Sequence, residues 1–113
     1  MECQIVNLEA GMPAVEQART HLNMALRGAK ANRVRALKLI HGYGSSGKGG
    51  AIRADVRAQL AQKKRVGQIR EFVPGEDFSP FDSRARTIVA ACPSLARDTD
   101  YSRTNHGVTV VLL

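Results

Sequence analysis

Tryptophan is absent from this chain of 113 residues, and aromatic side chains make up only 4% of it. The core must therefore be aliphatic, and the composition argues against single-strand binders built on exposed stacking rings. Cysteine is nearly absent as well. Cys3 and Cys92 stand far apart with no Cys-x-x-Cys pair, which argues against zinc. In a reducing cytoplasm both read as buried free thiols. No apolar run approaches membrane-spanning length and the N-terminus carries no signal-peptide pattern, so the expected location is cytoplasmic, away from membranes. No cluster of His and carboxylates marks a firm metal site, which leaves a weakly held Mg²⁺ or Mn²⁺ as the one compatible cofactor.

What is present is positive charge. Seventeen Lys and Arg against ten acids give a formal net charge of +7 and a pI near 10.1. Such an excess points to a polyanionic partner, DNA or RNA, free or in a ribosome. The length fits one domain, and 43% hydrophobic residues suffice for a core.

Along the chain, helical and strand periods alternate. Cys3 to Leu8 reads as a strand and Glu9 to Gly11 as a turn. A helix follows from Pro13, placed for a first turn, with Val15, Ala18, Leu22, Ala25, Leu26 and Ala29 on one face. Val34 to His41 is an apolar run suited to a central strand covered on both sides. A second helix is expected from about Gly50 to Lys63, on the stripe Ile52, Val56 and Leu60. A third strand is expected over Val66 to Val73, stopped by Pro74 and Gly75. Glu76 to Thr104 reads as an insertion, with a helix at Phe81 to Cys92 covering one edge of the sheet. Asp98 to Asn105 reads as loop, and the run after Gly107 is the last strand. The order implies an α/β (α+β) sandwich with a mixed four-stranded sheet, its first two strands parallel through a right-handed crossover.

The stretch between the second strand and second helix carries the chemistry. Gly42 to Gly50 holds glycines at 42, 44, 47, 49 and 50, so a ligand can approach the main chain closely. The following helix N-terminus attracts anions, phosphate above all. Gly42 to Lys48 fits the first seven positions of a P-loop, but Gly49 stands where a Ser or Thr hydroxyl should hold Mg²⁺. Gly42-x-Gly44-x-x-Gly47 also fits a dinucleotide fingerprint, with Glu71 as the ribose-binding acid. The chain is too short for a second mononucleotide half. Both near matches keep their physical content, a loop able to cradle phosphate.

LKLIHGYGSSGKGGAIR, Leu37 to Arg53, resembles the second signature of the Smr (small MutS-related) domain family: an apolar strand, His-Gly-x-Gly, a variable Gly-rich stretch, then Gly-x-Leu/Ile-Arg. His41, Gly42, Gly44, Gly50, Ile52 and Arg53 match it. AVEQA at Ala14 to Ala18 is similar to the start of the family's first helix, and Asn105 to Leu113 to its closing turn and strand. The resemblance covers the chain as a single Smr-like domain, 1–113, apart from the insertion at about 76–104. It implies a βαβαββ fold, DNA or RNA binding and, for some members, endonuclease activity. The family's first signature, Leu-Asp-x-His-Gly, has no counterpart in Val6-Asn7-Leu8-Glu9-Ala10-Gly11, with Glu9 as the one acidic replacement.

Phosphate contacts are therefore expected from His41, Gly42, Tyr43, Gly44, Ser45, Ser46, Gly47, Lys48, Gly49, Gly50, Arg53 and Arg57. Arg53 opposes the helix dipole and suits an anion there; Tyr43 could stack on a base. His41 is either a general acid/base, aided by Glu9, or a hydrogen-bonding cap that holds the loop. His21 and His106 have no evident partners, and Met12 and Met24 read as core or turn residues. Three functions fit: a nucleic-acid binder that nicks DNA or cuts RNA, a non-catalytic nucleic-acid or ribosome-associated protein, or a nucleotide binder using the same loop.

Overall fold

The computed structural model describes residues 2–43 and 49–113. Gly44, Ser45, Ser46, Gly47 and Lys48, expected in the phosphate loop, lie outside the described residues. The elements are β1 (Cys3–Asn7), α1 (Val15–Ala31), β2 (Ala36–Ile40), α2 (Gly49–Arg65), β3 (Glu71–Pro74), α3 (Ser83–Ala91) and β4 (Val108–Leu112), with 3-10 turns at Gly75–Asp77 and Pro93–Arg97. Strand order is β1-β2-β4-β3, with β1 parallel to β2 and β4 antiparallel to both its neighbours. This is the mixed sheet and βαβαββ order that the sequence implied.

Strand alternation divides the sheet into two apolar faces. Val6, Leu37, Leu39 and Val111 meet Leu22, Leu26, Ile52, Val56 and Leu60 from α1 and α2. Ala36, Val73, Val110 and Leu112 meet Phe78, Ala85, Ile88, Cys92 and Leu95. The insertion thus covers the second face of the sheet rather than an edge. Its apolar stripe is long enough to shield β3 and β4 and is capped by Asp82, whose carboxylate accepts from the Arg84 and Ala85 N–H groups.

Lys38 sits in the middle of β2 on that second face and is buried. Its ammonium lies 2.8 Å from Asp98 Oδ1 and 2.5 Å from Asp100 Oδ2. Burial opposes the charge, yet the hydrogen bonds to Asp100 and Asp98 outweigh it and raise the Lys38 pKa. A charge in a covered strand is tolerated only with such partners. The apolar reading of this strand missed it, and the two acids two residues apart in the insertion were the available signal.

Helix ends account for the shifted boundaries. α1 starts at Val15, with Ala14 as its cap and Pro13 one residue outside; Gln17 Oε1 accepts from the Ala14 N–H at 2.9 Å. α2 runs on to Arg65 and closes in a Schellman motif: the Gln68 N–H donates to Lys63 O and the Gly67 N–H to Lys64 O, with Gly67 at φ +79°. β3 therefore begins at Glu71, five residues later than Val66, which is exposed. α1 closes the same way through Val34 and Arg33, but with Arg33, not glycine, at φ +58°. Met24 is exposed rather than in the core, and Cys3 is half-buried while Cys92 is buried; both thiols are free.

Gly75 is the tightest point of the insertion. A Cβ there would lie 2.1 Å from Asn105 O and 2.7 Å from Val108 O, both backbone atoms. Gly75→Ala is expected to destabilise the fold by roughly 3 kcal/mol or more, because main chain cannot yield as a side chain can. Arg33→Gly is expected to leave stability unchanged or raise it by about 0.5 kcal/mol, since relief of left-handed strain slightly outweighs glycine's added chain entropy. Urea melts of the two variants check both, and a neutral Gly75→Ala contradicts the packing argument.

Candidate functional site

The C-terminal ends of the two parallel strands, β1 and β2, point to the same edge of the molecule. The Leu8 N–H still donates to Ile40 O at 2.7 Å, so Glu9 and His41 leave the sheet side by side. At the end of β1, Asn7 Oδ1 accepts from the Glu9 and Ala10 N–H groups, each at 3.0 Å. This Asx turn stands where the resemblance calls for Asp, and an amide oxygen does the turn-closing work a carboxylate oxygen would. Glu9 itself is exposed, and among the described residues its side chain has no hydrogen bond or ion pair.

His41 is fully buried. One residue past β2, it points to the face covered by α2. Its Nδ1 lies 2.7 Å from Gly42 O, and its Nε2 lies 2.8 Å from Thr109 Oγ1. A carbonyl only accepts, so Nδ1 carries the proton and Nε2 is the acceptor. The Thr109 hydroxyl donates to Nε2 and accepts from Arg57 Nε at 3.2 Å. Every donor in this chain finds an acceptor with the imidazole neutral. Burial pushes the His41 pKa down to about 4; the Gly42 carbonyl opposes that, and the positive charges of Arg57 and Arg53 reinforce it. Both ring nitrogens are thus engaged inside the protein in this structure.

Arg57 is the hub of the same network. Its two terminal nitrogens meet Glu76 at 2.9 and 2.7 Å, and one also donates to Val108 O at 3.2 Å. The fork expected to face phosphate is filled by a carboxylate from the insertion. Burial works against the Glu76 charge, but the Arg57 hydrogen bond holds its pKa below the usual carboxylate range. His106, read as lacking a partner, has its Nδ1 3.5 Å from Glu76 Oε2. Glu76, Thr109 and Asn105 were the residues that sequence reasoning missed; Asn105 and Thr109 lie in the closing turn and strand, but nothing local marks them as partners of His41 and Gly107, and they reach the site through the antiparallel return of β4.

Gly42 and Gly107 hold the mouth of the loop. Gly42 has φ +73°, and the His41 and Gly42 N–H groups donate to Gly107 O at 3.0 and 3.1 Å. The Gly107 N–H donates to Asn105 Oδ1 at 2.8 Å, and Asn105 Nδ2 donates to Asp100 Oδ1 at 2.9 Å. Asp100 is also a partner of Lys38, so one continuous chain runs from the middle of β2 to the loop. Tyr43 is exposed beside Gly107. Gly49 and Gly50 open α2, whose first turn contains no acid. Arg53, the fifth residue of that helix, is half-buried and lies one residue further in than a start at Gly50 gives. The structure therefore brings His41, Gly42, Tyr43, Gly50, Arg53 and Arg57 to one edge, with Glu9 beside them. Among the described residues no three His, Cys, Asp or Glu are placed to hold a metal ion, and no helix is long and apolar enough to cross a membrane.

The depressed His41 pKa has a signed consequence. Between about pH 6.5 and 4 the unfolded chain binds a proton at this side chain and the folded chain does not. Stability supplied by His41 is fully present above about pH 6.5 and falls as pH drops toward 4, by about 3 kcal/mol in all. Urea unfolding at pH 7, 5.5 and 4 should show wild type losing that much more than His41→Gln, whose carboxylates titrate alike. Parallel losses in the two proteins would contradict a buried neutral imidazole.

Comparison with known proteins agrees with this fold. The Smr domain family model matches residues 10–77, which takes in the loop, α2 and Glu76 and leaves out β1 and β4. The fold superposes on the crystal structure of the Smr domain of Thermus thermophilus MutS2 with a TM-score of 0.57 and 25% identity, covering 100% of this chain and 98% of that one. No curated protein matches the chain.

Proposed function

The chain belongs to the Smr domain family, and from that premise we propose that it binds nucleic acid through backbone phosphates without cutting them. The grip is formed by the Gly42–Gly50 loop, the N-terminal turn of α2, Lys48 and Arg53. The observation that carries this reading is the commitment of His41: buried, neutral, and bonded at both ring nitrogens. A general base needs a nitrogen that reaches the reacting water. Here the imidazole holds Gly42 in its left-handed conformation and orients Thr109, so it is a positioning residue for the loop.

Charge supports the binding half of the reading. The net +7 is not dispersed evenly around the loop edge, because Arg57 is answered by Glu76 while the first turn of α2 lacks any acid. An anion at that helix end meets partial positive charge from the peptide dipoles, and Arg53 approaches from one turn deeper. The Tyr43 ring is exposed beside Gly107, which supports its stacking on a base next to the gripped phosphate. The absence of the Leu-Asp-x-His-Gly signature at residues 6–11 favours binding over hydrolysis, since it removes that signature's imidazole from the end of β1.

Binding to a duplex and to a structured RNA, measured across a salt titration, tests the grip. Lys48→Ala and Arg53→Ala should each lower the slope of log K against log salt by about 1, whereas Tyr43→Ala should weaken binding with the slope kept. The same samples, incubated with Mg²⁺, Mn²⁺ or EDTA, should show no nicks in supercoiled DNA and no RNA fragments. Cleavage that disappears in His41→Ala while binding persists overturns the non-catalytic reading and gives His41, with Glu9, the acid/base role. Saturable binding of a mononucleotide with no affinity for either polymer overturns the nucleic-acid reading altogether.

A further inference from the structure

The opposite end of the sheet carries a second concentration of positive charge. Lys30 at the end of α1, Arg33 in the turn after it, Arg35 before β2 and Arg70 before β3 line one cleft of about 520 Å³, floored by Leu112 and walled by Ala91. Its volume is within the usual range for ligand sites. Arg35 and His41 bracket β2, so the cleft lies six residues of extended chain, roughly 20 Å, from the loop. It shares none of the residues of the phosphate loop.

Five cations elsewhere are paired, while others, Arg53, Arg86 and Arg103 among them, are in no ion pair among the described residues. Arg19 meets Asp55, Lys38 meets Asp98 and Asp100, Arg57 meets Glu76, Lys64 meets Glu71, and Arg84 meets Asp77 and Asp82. What sets this cleft apart is that four cations line one hollow. No acidic side chain lines it, and among the described residues none of its four cations is in an ion pair. The contact recorded there is Arg35 to Ala91 O at 3.2 Å, which fixes one guanidinium against the end of α3. The helix dipole accounts for Lys30 in the last turn of α1 but not for Arg35 and Arg70, which precede strands. Arg33 also holds a left-handed backbone at a position where α2 uses Gly67. Four exposed like charges line one cleft, a multivalent anion there would offset their repulsion, and guanidinium forks match phosphoryl oxygens in pairs.

We propose that this cleft is a second phosphoryl-anion site, separate from the Gly42–Gly50 loop, that takes two or more phosphate groups of one polyanion. A neighbouring hollow of about 360 Å³ shares Lys30 and adds Arg27 and Lys63, which extends the basic lining along the same end. The phosphates are either those of a nucleic-acid backbone reaching around the domain or those of a free oligophosphate.

The double variant Arg33→Gly/Arg70→Gln tests the site, since both side chains are exposed and the first change suits its backbone. Amide spectra of wild type titrated with inorganic tripolyphosphate should shift at residues 33–35, 70, 90–91 and 112–113, and these shifts should vanish in the variant while its thermal melt is kept. On duplex DNA or structured RNA the variant should lower the salt slope by roughly 2, additively with Lys48→Ala. Cleft shifts with an unchanged polymer slope keep the site and assign it to a free oligophosphate. Wild type that shows no cleft shifts, with a variant of unchanged slope, overturns the proposal. The polymer arm rests on the nucleic-acid reading of the loop and the tripolyphosphate arm does not, so cleft shifts in a protein that binds no polymer would refute the former alone.

Discussion

The arrangement at the candidate site depends on the Arg57 guanidinium. It sits on α2 and hydrogen-bonds both the final strand and the insertion, through Thr109 and Val108 in β4 and through Glu76. Its bond to Thr109 fixes the hydroxyl so that the proton points at His41 Nε2. That in turn fixes the imidazole tautomer and the Gly42 carbonyl. A buried pair with additional hydrogen bonds is conformationally specific even where its net energy is small, because removing one partner strands the other. The consequence here is a loop whose two anchors, Gly42 and α2, are set relative to each other by one charged group.

The insertion matters for the same reason. It supplies Glu76 to Arg57, Asp98 and Asp100 to Lys38, and Asn105 to Gly107. Its apolar side covers the second face of the sheet, and its polar side braces the loop edge from below. A segment that read as an appendage is therefore part of the site's scaffold. The two regions of positive charge then have different physical characters. Among the described residues the loop edge offers the backbone dipoles of α2 and Arg53, with Arg57 answered by Glu76, which suits one closely held phosphate. The far cleft has charge on exposed side chains, which suits several phosphates at once.

The strands, the helices and the position of the loop were legible in the sequence because periodicity and glycine spacing are local signals. Val34 to His41 announced a covered strand, and Ile52, Val56 and Leu60 a packed helix. The ends of elements were harder. Val66 looked like strand, but the Schellman closure at Gly67 needs only backbone bonds that no side chain announces. The site was legible as a set of residues and not as a set of partners. His41, Arg53 and Arg57 were found through the motif, yet whether Arg57 faces a ligand or Glu76 depends on where β4 and the insertion return. Lys38 shows the same limit, since its acids lie sixty residues away in sequence.

The most direct test of this account is the state of the His41 ring while nucleic acid is bound. A long-range ¹H–¹⁵N spectrum of the imidazole distinguishes the two neutral tautomers from imidazolium. The account requires the Nδ1–H neutral form from pH 5 to 8, free and bound alike, because the Thr109–Arg57 network holds it in both states. An imidazolium signal, or a switch to the Nε2–H form on binding, would contradict it and return His41 to the chemistry.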